Sequence, residues 1–297
     1  MSTKVRLIAL SGDTPPLVPL AVQATGLVFA CDFYVSGIER GQEIPGGYRL
    51  DRLLNIDHHA PTERMSQHIT STTLAISQVE EVGCADPSDA VVVHHTDCDS
   101  VLSSGIMCGE LEPDSIFSEV AIAADHTGEE NTLADLLQAL DKRRDLELSF
   151  NNLNRFLRKE PLQSVAKEAL EERRRERGQA ELLVNRHHFS SVGKLSYAVL
   201  KQPIDSEFFP ALLPDTMVLM IASPRGDSEG HWDIHLRLGQ AAPKGFSLHG
   251  LNLKGLDPNY GGRWNAGSNI RGGGTNLAPE KYGGKLSELL DMHFGGA

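Results

Sequence analysis

Four apolar stretches in the first half of the chain each run straight into aspartate, and three of the four carry histidine beside it. Gly26 to Cys31 ends at Asp32, and Leu53 to Ile56 ends in Asp57-His58-His59. Ala90 to Val93 ends in His94-His95-Thr96-Asp97-Cys98-Asp99-Ser100, and Val120 to Ala124 in Asp125-His126-Thr127-Gly128. A single aspartate after a strand is ordinarily a turn former or a helix N-cap. Four in succession, three of them with imidazoles, exceed what capping requires. Carboxylates gathered in one cleft repel one another, and burial adds to the cost, so such a group calls for protons or divalent cations. Carboxylates mixed with imidazoles suit Mn²⁺, Fe²⁺, Co²⁺ or Zn²⁺ better than Ca²⁺, and the lack of a thiolate cluster argues against a structural zinc site. With five or more ligands on offer, two ions about 3.5–4 Å apart are expected, the geometry used for in-line displacement at phosphorus. His68, His187, His188, His231, His235 and His249 lack this context and read as surface or hydrogen-bonded histidines.

Such residues meet only if the elements before them end along one edge. The runs Val5 to Leu10, Gly26 to Cys31, Leu53 to Ile56, Ala90 to Val93 and Val120 to Ala124 are short, continuously apolar and rich in β-formers. Helical patterns lie around Leu17 to Thr25, Thr72 to Val82 and Ser100 to Gly109. This alternation predicts an α/β fold with a mostly parallel sheet covered on both faces, its ligands beyond the carboxyl ends of the strands. From about Thr132 to Val184 the composition turns to Leu, Glu, Lys, Arg and Gln, interrupted by Pro161, and reads as helical. The Glu171 to Arg177 run within it reads as a solvated, salt-bridged helix face. Strands are then expected at Lys194 to Leu200, Met217 to Ile221 and Trp232 to Leu238, and a last helix from about Lys285 to Met292. The resulting organisation is a metal-binding domain over 1–150, a helical connector over 151–184 and a smaller α+β domain over 185–297.

The charge balance narrows the partners. The 297 residues carry 28 Lys and Arg against 40 Asp and Glu, a net charge of −12. A surface so acidic disfavours duplex nucleic acid, whereas small anions remain open because bound metal reverses the local field. Aromatics make up 6% of the chain, too few for the stacking groove of a processive exonuclease. The apolar runs are too short to span a bilayer, no signal-peptide pattern opens the chain, and Cys31, Cys84, Cys98 and Cys108 form no regular framework. Reduced thiols in a cytoplasm are the expectation.

Asn55-Ile56-Asp57-His58-His59-Ala60-Pro61 resembles the signature of the DHH phosphoesterase superfamily, and three companion motifs accompany it. His95-Thr96-Asp97-Cys98-Asp99-Ser100 is similar to the family's His/Asp-x-Asp motif, Asp32 to its lone aspartate, and Ala123-Ala124-Asp125-His126-Thr127-Gly128 to its fourth motif. The family's His/Asp-x-Asp motif sits on the first strand; here it follows Asp-His-His, and the first strand ends Ala9-Leu10-Ser11-Gly12-Asp13 without paired aspartates. A rearranged strand order that delivers the motif from another position is therefore expected. The resemblance implies that His95 and Asp97 hold one Mn²⁺, that His58, Asp99 and Asp125 hold a second, and that Asp32 bridges them, with Co²⁺, Mg²⁺ or Zn²⁺ as substitutes. It casts Asp57 as the group that orients a ligating imidazole and His59 as facing the substrate phosphate. His126, beside Asp125, would assist a leaving group or play a neutral supporting part.

The second half resembles, more loosely, the small substrate-holding domain that accompanies DHH domains. Arg225 follows a strand, and Gly261 to Thr275 is glycine-rich, with Arg263, Asn265, Arg271, Gly272, Gly273 and Gly274 as candidate substrate contacts. Glycine amides approach phosphate closely and arginines add bidentate bonds; Thr275 stands where the family has histidine after the glycines. The expected substrate is a small phosphodiester or phosphoanhydride, such as a short single-stranded oligonucleotide, a nucleotide or short polyphosphate. A catalytically silent nucleotide-binding regulator on the same fold is the alternative, and a mononuclear zinc hydrolase using His58, His59 and His95 a third. The oligomeric state stays open, a homodimer included.

Overall fold

The structure is a computed structural model and describes residues 5–10, 24–59, 66–202 and 204–295. The helix expected from Leu17, the Ser11-Gly12-Asp13 strand end and Ala60-Pro61 lie wholly or largely outside these residues. The chain forms two units, Met1–Asp125 with Glu130–Arg173, and His126–Glu129 with Arg174–Ala297.

The first unit is built on a six-stranded sheet of β1 (Arg6–Ala9), β2 (Val28–Cys31), β3 (Gln42–Ile44), β4 (Gly47–Leu50), β5 (Leu53–Ile56) and β6 (Ala90–Val93), in spatial order β1-β6-β2-β5-β4-β3. The pairs β1–β6, β6–β2 and β2–β5 are parallel; β4 and β3 add an antiparallel edge. Every residue of β2, β5 and β6 is buried, as parallel strands covered on both faces must be. Their alternation divides the core. Phe29, Cys31, Leu54, Ile56, Val91 and Val93 face one apolar cluster, and Val28, Ala30, Leu53 and Val92 meet Phe33, Val35 and Ile38 on the other side. β6 lies between β1 and β2, which brings the segment that follows it, with Ser100, beside Asp32.

Helices α1 (Ser71–Val82), α2 (Cys98–Met107), α3 (Ser115–Ile122), α4 (Thr132–Asp141) and α5 (Leu146–Leu157) follow. The strand expected over Val120 to Ala124 is instead the end of α3 and a π-helical turn, Ala123–Thr127. Asp114 caps α3 by accepting the Ile116 amide at 2.9 Å, and Phe117, Val120 and Ala121 then share one buried face at helical spacing. The long helix α6 (Ser164–Asn185) runs through the division between the units. Leu153, Ala166, Ala169 and Leu170, within the stretch read as connector, pack in the first unit's core.

The second unit carries β7 (Ser190–Val192), β8 (Leu195–Val199), β9 (Val218–Pro224), β10 (Trp232–Leu238), β11 (Gly261–Gly262) and β12 (Ala266–Ser268), in order β11-β12-β10-β9-β8-β7 with only β8–β9 parallel. Ala180, Ala198, Leu200, Phe208, Phe209, Leu219 and Ile221 form an apolar cluster in it, and the helix α7 (Pro279–Phe294) buries Tyr282, Leu286 and Leu290. The molecule is thus α/β with two mixed sheets. Among the described residues, no helix is long and apolar enough to cross a membrane.

Candidate metal centre

Register brings the acidic ends together. Cys31 pairs with both Ile56 and Val93, so Asp32, Asp57 and His94 leave three adjacent parallel strands at one level. Asp32 then turns into the left-handed region, φ 61°, which aspartate tolerates better than most residues. Its loop is fixed by Asn55, whose Nδ2 donates to the Ala30 and Phe33 carbonyls at 3.1 and 2.8 Å while its Oδ1 accepts the Val35 amide at 3.0 Å. The Asp32 oxygens accept the Ser71 hydroxyl at 3.0 Å and the Ser100 hydroxyl at 2.7 Å.

His58 is the hub. Its Nε2 lies 3.8 Å from Asp32 Oδ1, 3.5 Å from Asp99 Oδ2 and 3.4 Å from Asp125 Oδ2. Asp99 also receives the N-terminus of α1, taking the Ser71 and Thr72 amides at 2.7 Å each and the Thr72 hydroxyl at 2.6 Å. Asp32, His58 and His59 can each offer one ligand atom within 4.8 Å of the others. Asp57 engages His59 instead of the hub, accepting from its Nδ1 at 2.5 Å, and its second oxygen is buried with no hydrogen-bond partner among the described residues.

The electrostatics follow from burial against opposite charge. Burial disfavours a charged His58, but the hydrogen bond to Asp125 and the charges of Asp99, Asp125 and Asp57 outweigh it, and its pKa rises. Burial pushes the Asp99 carboxyl up, against the pull of His58 and of the Thr72 donors. Burial would raise Asp57 too, yet His59 holds it below the usual carboxylate range. Burial keeps the Cys31 and Cys98 thiols protonated, which leaves the donor set to oxygen and nitrogen. Carboxylates sharing an imidazole in a buried niche could hold a metal ion.

Other expected residues make contacts of their own. The Asp97 carboxylate caps α2, accepting the Ser100 amide at 3.0 Å, and His95 Nε2 stands 3.2 Å from His94 Nδ1. Asp125 arrives on the π-helical turn, not on a strand tip. His126, next in the chain, is buried in the second unit, where Asn265 Nδ2 lies 3.3 Å from its Nδ1 and the Trp264 ring 5.7 Å away. The reading from residue types missed Ser71, Thr72 and Ser100, which hold Asp32 and Asp99. The signal available was hydroxyl residues at the starts of two helices.

In the glycine-rich loop, the expectation of amides directed at phosphate needs correction. The amides of Gly272 and Gly274 donate to the Asn269 carbonyl at 3.0 Å each, and that of Gly273 to Ile270 at 3.2 Å. The loop closes on itself because Gly273 and Gly274 adopt φ of 97° and 73°, and a Cβ on Gly274 would stand 2.9 Å from the Trp232 carbonyl. Arg225 is held by Asp227 through two bonds, 2.6 and 3.1 Å, and by Asp233 at 2.8 Å. Arg263 and Arg271 are exposed, and Asn265 is buried.

The sequence matches no protein-family model and no curated protein. Among solved structures, the chain is similar to a pGpG-specific phosphodiesterase, PggH, from Vibrio cholerae, at 10% identity and TM-score 0.48, over 99% of this chain and 100% of that one. It is also similar to an uncharacterised protein from Helicobacter pylori G27, at 10% identity and TM-score 0.24, over 92% of this chain and 99% of that one.

Proposed function

We propose that this chain is a metal-dependent phosphoesterase that hydrolyses a small phosphodiester or phosphoanhydride. One observation carries the reading: three carboxylates, Asp32, Asp99 and Asp125, stand within 3.8 Å of a single buried imidazole nitrogen. Asp32, His58, Asp99 and Asp125 are the residues that would hold a divalent cation such as Mn²⁺. Bound there, the cation would supply Lewis acidity, acidifying a water and offsetting negative charge that develops on phosphoryl oxygens. The chain's own side chains do the rest. Asp32 and Asp99 are held in place by Ser71, Thr72 and Ser100 before substrate arrives. Donation of the His59 Nδ1 proton to Asp57 sets that ring's tautomer and leaves its lone pair on Nε2, facing the substrate phosphate in this reading. The resemblance of the second half to the substrate-holding domain assigns contact with the anionic parts of a substrate to Arg263 and Arg271, both exposed. The net charge of −12 favours a short anion over a long one.

The test is hydrolysis of an aryl phosphodiester with and without added Mn²⁺. Turnover that appears with the metal and vanishes in excess chelator supports the proposal. Unchanged turnover in chelator, or nucleotide binding with no turnover under any metal, overturns it.

A further inference from the structure

Two cysteines outside the proposed chemistry sit at the far end of the helix pair that carries the cluster. The N-termini of α1 and α2 are tied by Asp99 to Ser71 and Thr72. At their C-terminal ends, the Ala85 amide donates to the Met107 carbonyl at 2.8 Å. Cys84 immediately precedes Ala85, and Cys108, the helical C-cap of α2, immediately follows Met107, so this bond draws together the backbones on which the two cysteines stand. A disulfide spans Cα atoms about 4.4–6.8 Å apart. A Cβ built on Gly109 would lie 3.4 Å from Cys84 Sγ, so that sulfur already reaches the backbone just past Cys108. Cys84 is exposed and Cys108 half-buried, whereas Cys31 and Cys98 are buried.

We propose that Cys84 and Cys108 form a redox-modification site, closing to a reversible disulfide that staples the C-terminal ends of α1 and α2. The oxidant is a small-molecule or protein disulfide, RSSR. The exposed Cys84 thiolate attacks one sulfur of RSSR, forming a mixed disulfide and releasing RS⁻. Cys108 then loses its proton to solvent and attacks the Cys84 sulfur, expelling a second RS⁻. Two protein thiols are oxidised and one RSSR is reduced to two thiols. Burial, with Glu110 and Cys84 nearby, pushes the Cys108 thiol up to about 12, so the second step is slow. The same property makes Cys108 a poor leaving group, which keeps the bridge closed once it has formed.

The experiment incubates the intact protein with oxidised glutathione and follows it by thiol titration in denaturant and by mass spectrometry of a non-reducing digest. The expected result is a fall from four titratable thiols to two, a peptide cross-link joining Cys84 to Cys108, and its loss on adding dithiothreitol. Oxidation should raise the unfolding midpoint by several degrees in the natural chain and leave the exposed-site variant Cys84→Ser unmoved. A glutathione adduct on Cys84 that persists while Cys108 stays titratable overturns the proposal. So does a bridge to Cys31 or Cys98, or the absence of any thiol loss.

Discussion

The carboxylate of Asp99 accepts the backbone amide of Ser71 at 2.7 Å, so an aspartate in the first turn of α2 holds the N-terminus of the neighbouring helix α1. Its other oxygen takes Thr72, and the first oxygen also stands 3.5 Å from His58 Nε2. Scaffold and cluster therefore share one side chain. Asp99→Asn should abolish hydrolysis and also destabilise the fold by about 1–3 kcal/mol, because an amide NH₂ would face a backbone donor it cannot satisfy. Denaturant unfolding beside the aryl phosphodiester assay checks this. A variant that loses activity at full stability would separate the two roles assigned to Asp99.

Metal loading should stabilise the chain measurably. A cation that binds only the folded state adds about 2.7 kcal/mol at a hundredfold excess over Kd. Mn²⁺ should therefore raise the unfolding midpoint, chelator should reverse the rise, and Asp32→Ala should cancel both the shift and the activity. An equal shift in Asp32→Ala would place the metal elsewhere.

How far the sequence reveals this arrangement depends on whether a residue's role is local. β2, β5 and β6 are legible because a buried parallel strand must be continuously apolar, and the polar residues directly after it must sit at the sheet's edge. Asp32, His58 and Asp99 follow from that logic. Val120 to Ala124 does not, since five apolar residues carry no period that separates strand from helix, and the Asp114 cap decides the matter from outside the run. Ser71 and Thr72 were invisible because their partner, Asp99, is 28 and 27 residues away.

The same limit applies to the charged run on α6. Composition marks Glu171 to Arg177 as a solvated face, yet Arg173 and Arg177, one turn apart, are buried. Arg173 Nε lies 3.2 Å from Asp135 Oδ1, and Arg177 donates to the Gly128 carbonyl at 2.8 Å with its guanidinium 4.8 Å from the Phe208 ring. Arg173→Ala should cost about 3–5 kcal/mol, because it removes the cation of a buried ion pair. Arg174→Ala and Arg175→Ala, both exposed, should stay within about 0.5 kcal/mol of the natural chain. Urea unfolding of the three variants tests the contrast.

The arginines of the second unit should also divide. Arg225 is held by Asp227 and Asp233 and donates to the Ile270 carbonyl at 3.0 Å, so its charge is already balanced. Arg271 is exposed on the glycine-rich loop. Arg271→Ala should raise KM for a phosphodiester roughly tenfold, the worth of about one charge-assisted hydrogen bond, and leave kcat unchanged. Arg225→Ala should leave KM within about twofold. The reverse ranking would show that substrate displaces the aspartates from Arg225.

Two buried phenols in the second unit make an alkaline prediction. The hydroxyls of Tyr260 and Tyr282 have no hydrogen-bond partner among the described residues, and burial raises both pKa values above the ordinary phenol range. A group whose folded-state pKa is raised stabilises the fold fully below its unfolded value, here about 10, and loses that contribution as pH climbs toward the folded value. The unfolding midpoint should therefore drop steeply above about pH 10. The double variant Tyr260→Phe, Tyr282→Phe should blunt the drop and match or exceed the natural chain at neutral pH, since each change removes an unpartnered polar atom from an apolar site. Thermal unfolding of both proteins from neutral to alkaline pH reads the difference directly. A double variant that is less stable at neutral pH, with the alkaline drop intact, would mean that these hydroxyls contribute bonding and that other groups set the alkaline limit.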